Sequence, residues 1–197
     1  MPDDATEAWR EIKAWRTAER ARLIAERLAL GAEERAADAR AIAERLDALL
    51  GDPAGRVVSA YWPFRGEPDL RPWLAGLSAR GARTALPIVV APRTPLLFRA
   101  WREGDPLARG VWNIPVPAGG DVVQPDIVIA PIVGFDAHCY RLGYGGGFFD
   151  RTLAGLPTST LAIGVGRSSA SMPTIRPQPF DIPMRCIVTE ADVLTPP

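Results

Sequence analysis

Residues 126–135 (Asp-Ile-Val-Ile-Ala-Pro-Ile-Val-Gly-Phe) are the most hydrophobic stretch of the chain. They lead toward Arg141-Leu142-Gly143-Tyr144-Gly145-Gly146-Gly147-Phe148-Phe149-Asp150-Arg151, which carries four glycines in eleven residues. A strand that is apolar on both faces must be covered on both faces, the condition of a central strand in a largely parallel sheet. The remaining pattern agrees. Strands are expected at 56–62, 84–90, 96–101, 160–165 and 186–189, and helices at 6–30, 33–50, 69–79 and 148–156. The alternation predicts an α/β, three-layer fold: a mostly parallel sheet flanked by helices, with a long N-terminal helix.

In the first helix Trp9, Ile12, Trp15, Leu23 and Leu30 supply an irregular apolar stripe. In the second, Ala36, Ile42, Leu46 and Leu49 are expected inward, with Gly51 closing the helix. Residues 103–124, rich in Gly and Pro, read as an ordered loop with a short helix or hairpin, and 168–183 as a proline-bearing loop. Residues 1–197 suit one domain.

Composition narrows the function. Lysine plus arginine and aspartate plus glutamate both number 23, so no global charge draws the chain to nucleic acid or an anionic membrane. Lys13 is the only lysine, which removes lysine from most catalytic schemes. One histidine, His138, and two distant cysteines, Cys139 and Cys186, provide neither a usual zinc set nor a secreted disulfide framework. With no apolar signal core and no spanning run, a cytoplasmic protein is expected.

Ligands of such sheets bind beyond the carboxyl ends of the strands, which points to the loops after Trp62, Trp101 and Phe135. In the glycine segment, backbone N–H groups can approach a phosphate closely, arginines can grip its oxygens, and Asp150 can hold an accompanying Mg²⁺. The segment lacks the Gly-Lys-Ser/Thr of a Walker loop, and its G-x-G-x-G spacing is not the dinucleotide fingerprint. A plain turn is the competing reading. Arg16 and Arg20 share a helix face, either reaching phosphates or salt-bridged in solvent. Tyr61-Trp62-Pro63-Phe64-Arg65-Gly66-Glu67 offers stacking area and a carboxylate for a flat heterocycle, or core aromatics and a surface acid. Trp101 and Trp112 are pocket walls or packing. Asp136 and Asp181 are metal ligands or turn residues.

Taken together, these segments resemble the 5-formyltetrahydrofolate cyclo-ligase (methenyltetrahydrofolate synthetase) family. The resemblance rests on Gly134-Phe135-Asp136 followed by residues 140–151. Supporting segments are Tyr61 to Glu67, Pro95-Leu-Leu-Phe98, Trp112-Asn-Ile-Pro115, and Phe180-Asp-Ile-Pro-Met184 before Ile187-Val-Thr-Glu190. It implies a small-molecule enzyme that uses ATP and Mg²⁺ to close 5-formyltetrahydrofolate to 5,10-methenyltetrahydrofolate through an iminium phosphate, releasing ADP and phosphate. By position it implies nucleotide contacts from Arg16, Arg20, Arg141, Gly143, Tyr144, Gly145, Gly146, Gly147, Phe148 and Phe149. Folate contacts are implied from Trp62, Glu67, Trp112 and Phe149, catalytic roles for Glu67 and Arg141, and magnesium at Asp150 and Asp181.

The chain also departs from the family pattern. Arg185 stands where aspartate is common, a cation expected to weaken a metal environment near Asp181. Phe180 stands where many members have histidine, and Phe148 and Phe149 where tyrosines are frequent. Cys139 replaces a frequent glycine, which is expected to strain the backbone before Tyr140. A non-catalytic folate- or nucleotide-binding paralogue is the alternative these departures allow. An ATP-dependent enzyme of another heterocycle is a third. Oligomeric state is left open.

Overall fold

The computed structural model describes residues 3–197. Its helices are α1 (Asp3–Leu28), α2 (Ala32–Leu50), α3 (Arg71–Ala79) and α4 (Phe148–Gly155). Its strands are β1 (Val57–Ser59), β2 (Arg83–Ile88), β3 (Leu97–Ala100), β4 (Leu107–Arg109), β5 (Pro115–Pro117), β6 (Ile127–Pro131), β7 (Gly134–Phe135), β8 (Arg141–Leu142), β9 (Leu161–Val165), β10 (Cys186–Val188) and β11 (Val193–Leu194). Seven strands form one sheet in the order β11-β10-β9-β6-β1-β2-β3. The five inner strands are parallel, and the two edges, β3 and β11, run antiparallel to their neighbours. Two small hairpins, β4-β5 and β7-β8, stand outside it.

The alternation of side chains along β6 builds the layers. Ile127 and Ile129 face a core filled by Ile42, Leu46 and Leu50 of α2 and by Trp73, Leu74 and Leu77 of α3. Val128 and Ala130 point the other way, toward Leu23 of α1 and Phe149 of α4. Successive side chains of a strand alternate faces, so one apolar run supplies both interfaces. The mostly parallel sheet flanked by helices is thus present, with the long helix first.

Four local expectations change. The run 126–135 is two strands, because Val133 turns away to pair with Leu142 and β7 then leaves the main sheet. In α2 the buried positions are Ala39, Ile42, Leu46 and Leu50. Ala36 and Leu49 are exposed instead, one step off the true stripe. The expected strand at 56–62 is short, because the chain leaves the sheet after Ser59. Trp101 follows an antiparallel strand, so it ends beside Thr84, whose hydroxyl donates to its carbonyl at 2.6 Å. That is the amino end of β2, and the Trp101 ring is buried in the core rather than at a ligand site.

Candidate active site

A cleft of about 590 Å³ opens at the carboxyl ends of β1, β2 and β6. Its floor is the glycine segment between β8 and α4. Gly147 has φ 63° and ψ 21°, a left-handed conformation that glycine adopts freely, and it starts α4. A Cβ on Gly143 would lie 2.7 Å from Arg141 Nη1, so the guanidinium fits only because that position has no side chain.

Arg141 is the most informative side chain. It is only 7% exposed and lies over the Phe149 ring, 5.1 Å from its centroid. Nη2 stands 3.1 Å from Asp150 Oδ2 without hydrogen-bond geometry, and neither Nη2 nor Nε has a hydrogen-bond partner. Burial pushes its pKa down, with the nearby carboxylates opposing. A buried cation with unspent donors, lining a cleft, is an unusual arrangement that an anionic ligand would complete.

Helix α1 brings the other cations. Arg16 is buried and donates from Nε to Ile175 O at 3.1 Å, and it forks onto Asp181 at 2.5 and 3.3 Å. Gln178 N–H also donates to Asp181, at 2.7 Å. Both Asp181 oxygens are therefore engaged, and the carboxylate fixes Arg16. Arg20 Nε donates to Gly143 O at 2.6 Å, and its guanidinium lies over Gly145. Among the described residues no carboxylate pairs with Arg20. Burial first, then the charge of Arg16, depresses its pKa. This end of the cleft carries a positive field that is only partly neutralised.

The opposite end is built around Glu67. The turn that precedes it passes through Arg65 and Gly66, both at positive φ. Glu67 is 6% exposed; it accepts from Phe64 N–H and from the Tyr144 hydroxyl, each at 2.8 Å. Burial lifts its pKa to about 7, while Arg27, Tyr144 and the Phe64 amide oppose the rise. The Tyr144 hydroxyl joins Glu67 to Arg27, whose Nη2 donates to the phenol oxygen at 2.5 Å, while the residue still lines the cleft. Arg27 also donates to Arg65 O and Ile132 O.

Arg27 was absent from the sequence-based site. Its signal was spacing: positions 9, 13, 16, 20, 23 and 27 recur every three or four residues and form one stripe along α1. That stripe faces the cleft and core, and it is mostly cationic rather than apolar.

Aromatic rings wall the Glu67 end. Trp112 sits at the tip of the β4-β5 hairpin with φ 55° and ψ 24°, 53% exposed. It lies nearly parallel to Phe64 at 6.4 Å and edge-on to Phe148 at 6.3 Å. Trp62 is half-buried on the cleft wall, with Arg71 4.7 Å above its ring. Of the residues that the sequence singled out, Trp62, Glu67, Trp112, Arg16, Arg20, residues 141 to 150 and Asp181 all border this one cleft.

The departures fall in different places. Arg185 is exposed and off the cleft wall, and the cation on Asp181 is Arg16. Cys139 does take a left-handed conformation, φ 61°, held by its N–H on Asp136 O. Asp136 is buried and accepts three backbone N–H groups, from His138, Tyr140 and Ile175, so it braces the loops. The two cysteines are buried and free.

A parallel sheet with its cleft at the carboxyl strand ends defines an α/β enzyme fold for small molecules. Residues 12–190 match the sequence profile of the 5-formyltetrahydrofolate cyclo-ligase family. The chain is 31% identical over 144 residues to the 5-formyltetrahydrofolate cyclo-ligase of Mycolicibacterium smegmatis, which covers 69% of this chain and 74% of that protein. It is 32% identical to the enzyme of that name from Escherichia coli K12, covering 69% and 79%. It superposes on the 5,10-methenyltetrahydrofolate synthetase of Aquifex aeolicus with a TM-score of 0.79 at 28% identity, over 91% and 92% of the two chains. The chain belongs to the 5-formyltetrahydrofolate cyclo-ligase family, and with it to the ligases of one-carbon folate metabolism.

Proposed function

We propose that the protein catalyses ATP- and Mg²⁺-dependent closure of 5-formyltetrahydrofolate to 5,10-methenyltetrahydrofolate. The observation that carries this reading is the buried guanidinium of Arg141, ion-paired to Asp150 but with Nε and Nη2 making no hydrogen bond, on the same cleft as a carboxyl with a pKa of about 7. One end of the cleft suits phosphate and the other suits a protonated heterocycle. A reaction that phosphorylates the heterocycle's own formyl oxygen needs both.

In this reaction the formyl oxygen attacks the γ-phosphorus and the bond to ADP breaks, while the N5 lone pair forms the iminium. N10 then attacks the formyl carbon and loses its proton, and inorganic phosphate leaves with the former formyl oxygen. Arg141 and Arg20 bind phosphoryl oxygens and neutralise charge as it moves. Glu67, balanced between its two protonation states near neutrality, contacts the folate ring and takes the N10 proton. Phe64, Trp62 and Trp112 hold the ring by its faces and exclude water.

Asp150, in the first turn of α4, would give Mg²⁺ one hard oxygen ligand beside substrate phosphates; its Oδ1 accepts only a long 3.3 Å bond from Ile182 N–H and its Oδ2 stands 3.1 Å from Arg141, contacts looser than those on Asp181. When bound, the ion supplies charge neutralisation between phosphates. Asp181, both oxygens engaged, acts through Arg16. A soluble, cytoplasmic setting is part of the proposal. Among the described residues, no helix is long and apolar enough to cross a membrane.

The test is near-ultraviolet absorbance of methenyltetrahydrofolate from purified protein, 5-formyltetrahydrofolate and Mg²⁺, with and without ATP. ATP-dependent product is expected. Folded protein that binds folate or ATP yet makes no product would replace this reading with that of a binding paralogue.

A further inference from the structure

Two large aromatic side chains stand exposed at the outer rim of the cleft, and the reaction above does not use them. Trp9, on the first turns of α1, is 36% exposed; Phe180, in the loop before β10, is 58% exposed. They meet edge to face, with ring centroids 5.6 Å apart and planes at 87°. Both border the cleft. Leaving rings this large in water forfeits burial free energy, and exposed apolar surface at a cleft mouth marks a binding surface.

Helix α1 orders the cleft like a ruler. Trp9, Lys13, Arg16 and Arg20 follow one another on its cleft-facing stripe, and Arg27 continues the stripe to Tyr144 and Glu67. Trp9 and Arg20 are eleven residues apart, about 16 Å along the axis at 1.5 Å per residue. The cationic stretch therefore lies between the aromatic rim and the Glu67 end. A nucleoside triphosphate whose terminal phosphate meets the folate at Arg141 must carry its base away from Glu67, past Arg16, to the rim. Phe180 is held near the rim by the backbone it shares with Asp181, which grips Arg16.

We infer that Trp9 and Phe180 form the nucleobase subsite, binding a purine by its ring face. This rests on the phosphoryl-transfer reading above. Stacking on an aromatic face is indifferent to the edge of the base, and it grows with ring area. ATP and GTP therefore bind within a few-fold of each other, CTP and UTP more weakly, and inorganic tripolyphosphate weakest of all.

Equilibrium binding of ATP, GTP, UTP and tripolyphosphate to wild type, Trp9→Ala, Phe180→Ala and Trp9→Phe tests this, with the Michaelis constant for 5-formyltetrahydrofolate measured in parallel. Each alanine variant is expected to weaken ATP and GTP about tenfold, within the range for lost base stacking. Tripolyphosphate affinity and the folate constant should stay unchanged, and Trp9→Phe should keep most of the affinity. Unchanged ATP affinity in both alanine variants overturns the subsite and leaves the phosphoryl-transfer reading standing. A rise in the folate constant instead assigns the rim to the folate and also overturns it. Absence of binding by every nucleotide and by tripolyphosphate in wild type refutes both readings.

Discussion

Replacing Glu67 by glutamine should favour the fold more, relative to wild type, in alkaline buffer than in acid buffer, and should make the protein less active everywhere. Glu67 is buried, and that burial carries its pKa from an ordinary 4.5 to about 7. The folded state therefore holds a proton that the unfolded chain has already released between those values. Stability contributed by this group is complete below pH 4.5, falls as pH rises, and is lost once pH passes the folded pKa. At about 1.4 kcal/mol per unit, the rise to about 7 costs roughly 3 kcal/mol by pH 8. Glutamine carries no charge to bury. The unfolding free energy of Glu67→Gln minus that of wild type should therefore increase by about 2–3 kcal/mol between pH 5 and pH 8. Urea titrations of both proteins at the two pH values measure it. A fixed loss from the amide's imperfect fit to Phe64 N–H and Tyr144 appears at both and cancels. A difference that does not change with pH would refute the reasoning, because Glu67 would then be ionised in the fold at pH 5 already. Methenyltetrahydrofolate formation should fall about 100-fold or more in the same variant, as for loss of a group that moves a proton.

Other outcomes follow from the same geometry. Arg27→Met removes the cation that restrains the Glu67 pKa and strips hydrogen bonds from Arg65 O and Ile132 O. Urea titration should show a loss of about 3 kcal/mol or more, and the pH–rate limb assigned to Glu67 should move above its wild-type value. Gly143→Ala places a Cβ 2.7 Å from the mobile end of Arg141, so the guanidinium shifts while the fold survives. The Michaelis constant for ATP should rise about tenfold, one lost charged contact, with folate binding unchanged. Arg185→Asp, although it restores the residue common in the family, alters an exposed side chain off the cleft. Turnover should stay within about twofold of wild type, since surface charges couple weakly.

The sequence made the site legible where chemistry is local. Glycines, arginines and Asp150 are contiguous, so their meeting at one loop needs no tertiary information. The apolar run through Ile129 identified a central strand because two-sided burial is written into composition. Long-range placement was harder to see. Arg185 lies four residues from Asp181, yet the cation on Asp181 comes from Arg16, 165 residues away in sequence. Trp101 could be assigned to the ligand end of the sheet only by assuming that its strand was parallel; an edge strand is free to reverse, and this one does. Tyr144 sits among the glycines, but its hydroxyl reaches Glu67 because the loop folds back over α1. Nothing in the charged composition of α1 singles out Arg27, and only the stripe shared with Arg20 and Leu23 distinguishes it. The β11 edge strand, two residues long, left no periodic signal at all.

The central claim is that one cleft transfers a phosphoryl group to the formyl oxygen. The most direct measurement uses 5-formyltetrahydrofolate carrying ¹⁸O in the formyl group, with unlabelled ATP and Mg²⁺, and mass spectrometry of the phosphate released. If the formyl oxygen attacks the γ-phosphorus, one ¹⁸O appears in each inorganic phosphate formed with methenyltetrahydrofolate. Product formed with unlabelled phosphate would contradict the account, because the formyl oxygen would have left by a route that never joined it to phosphorus.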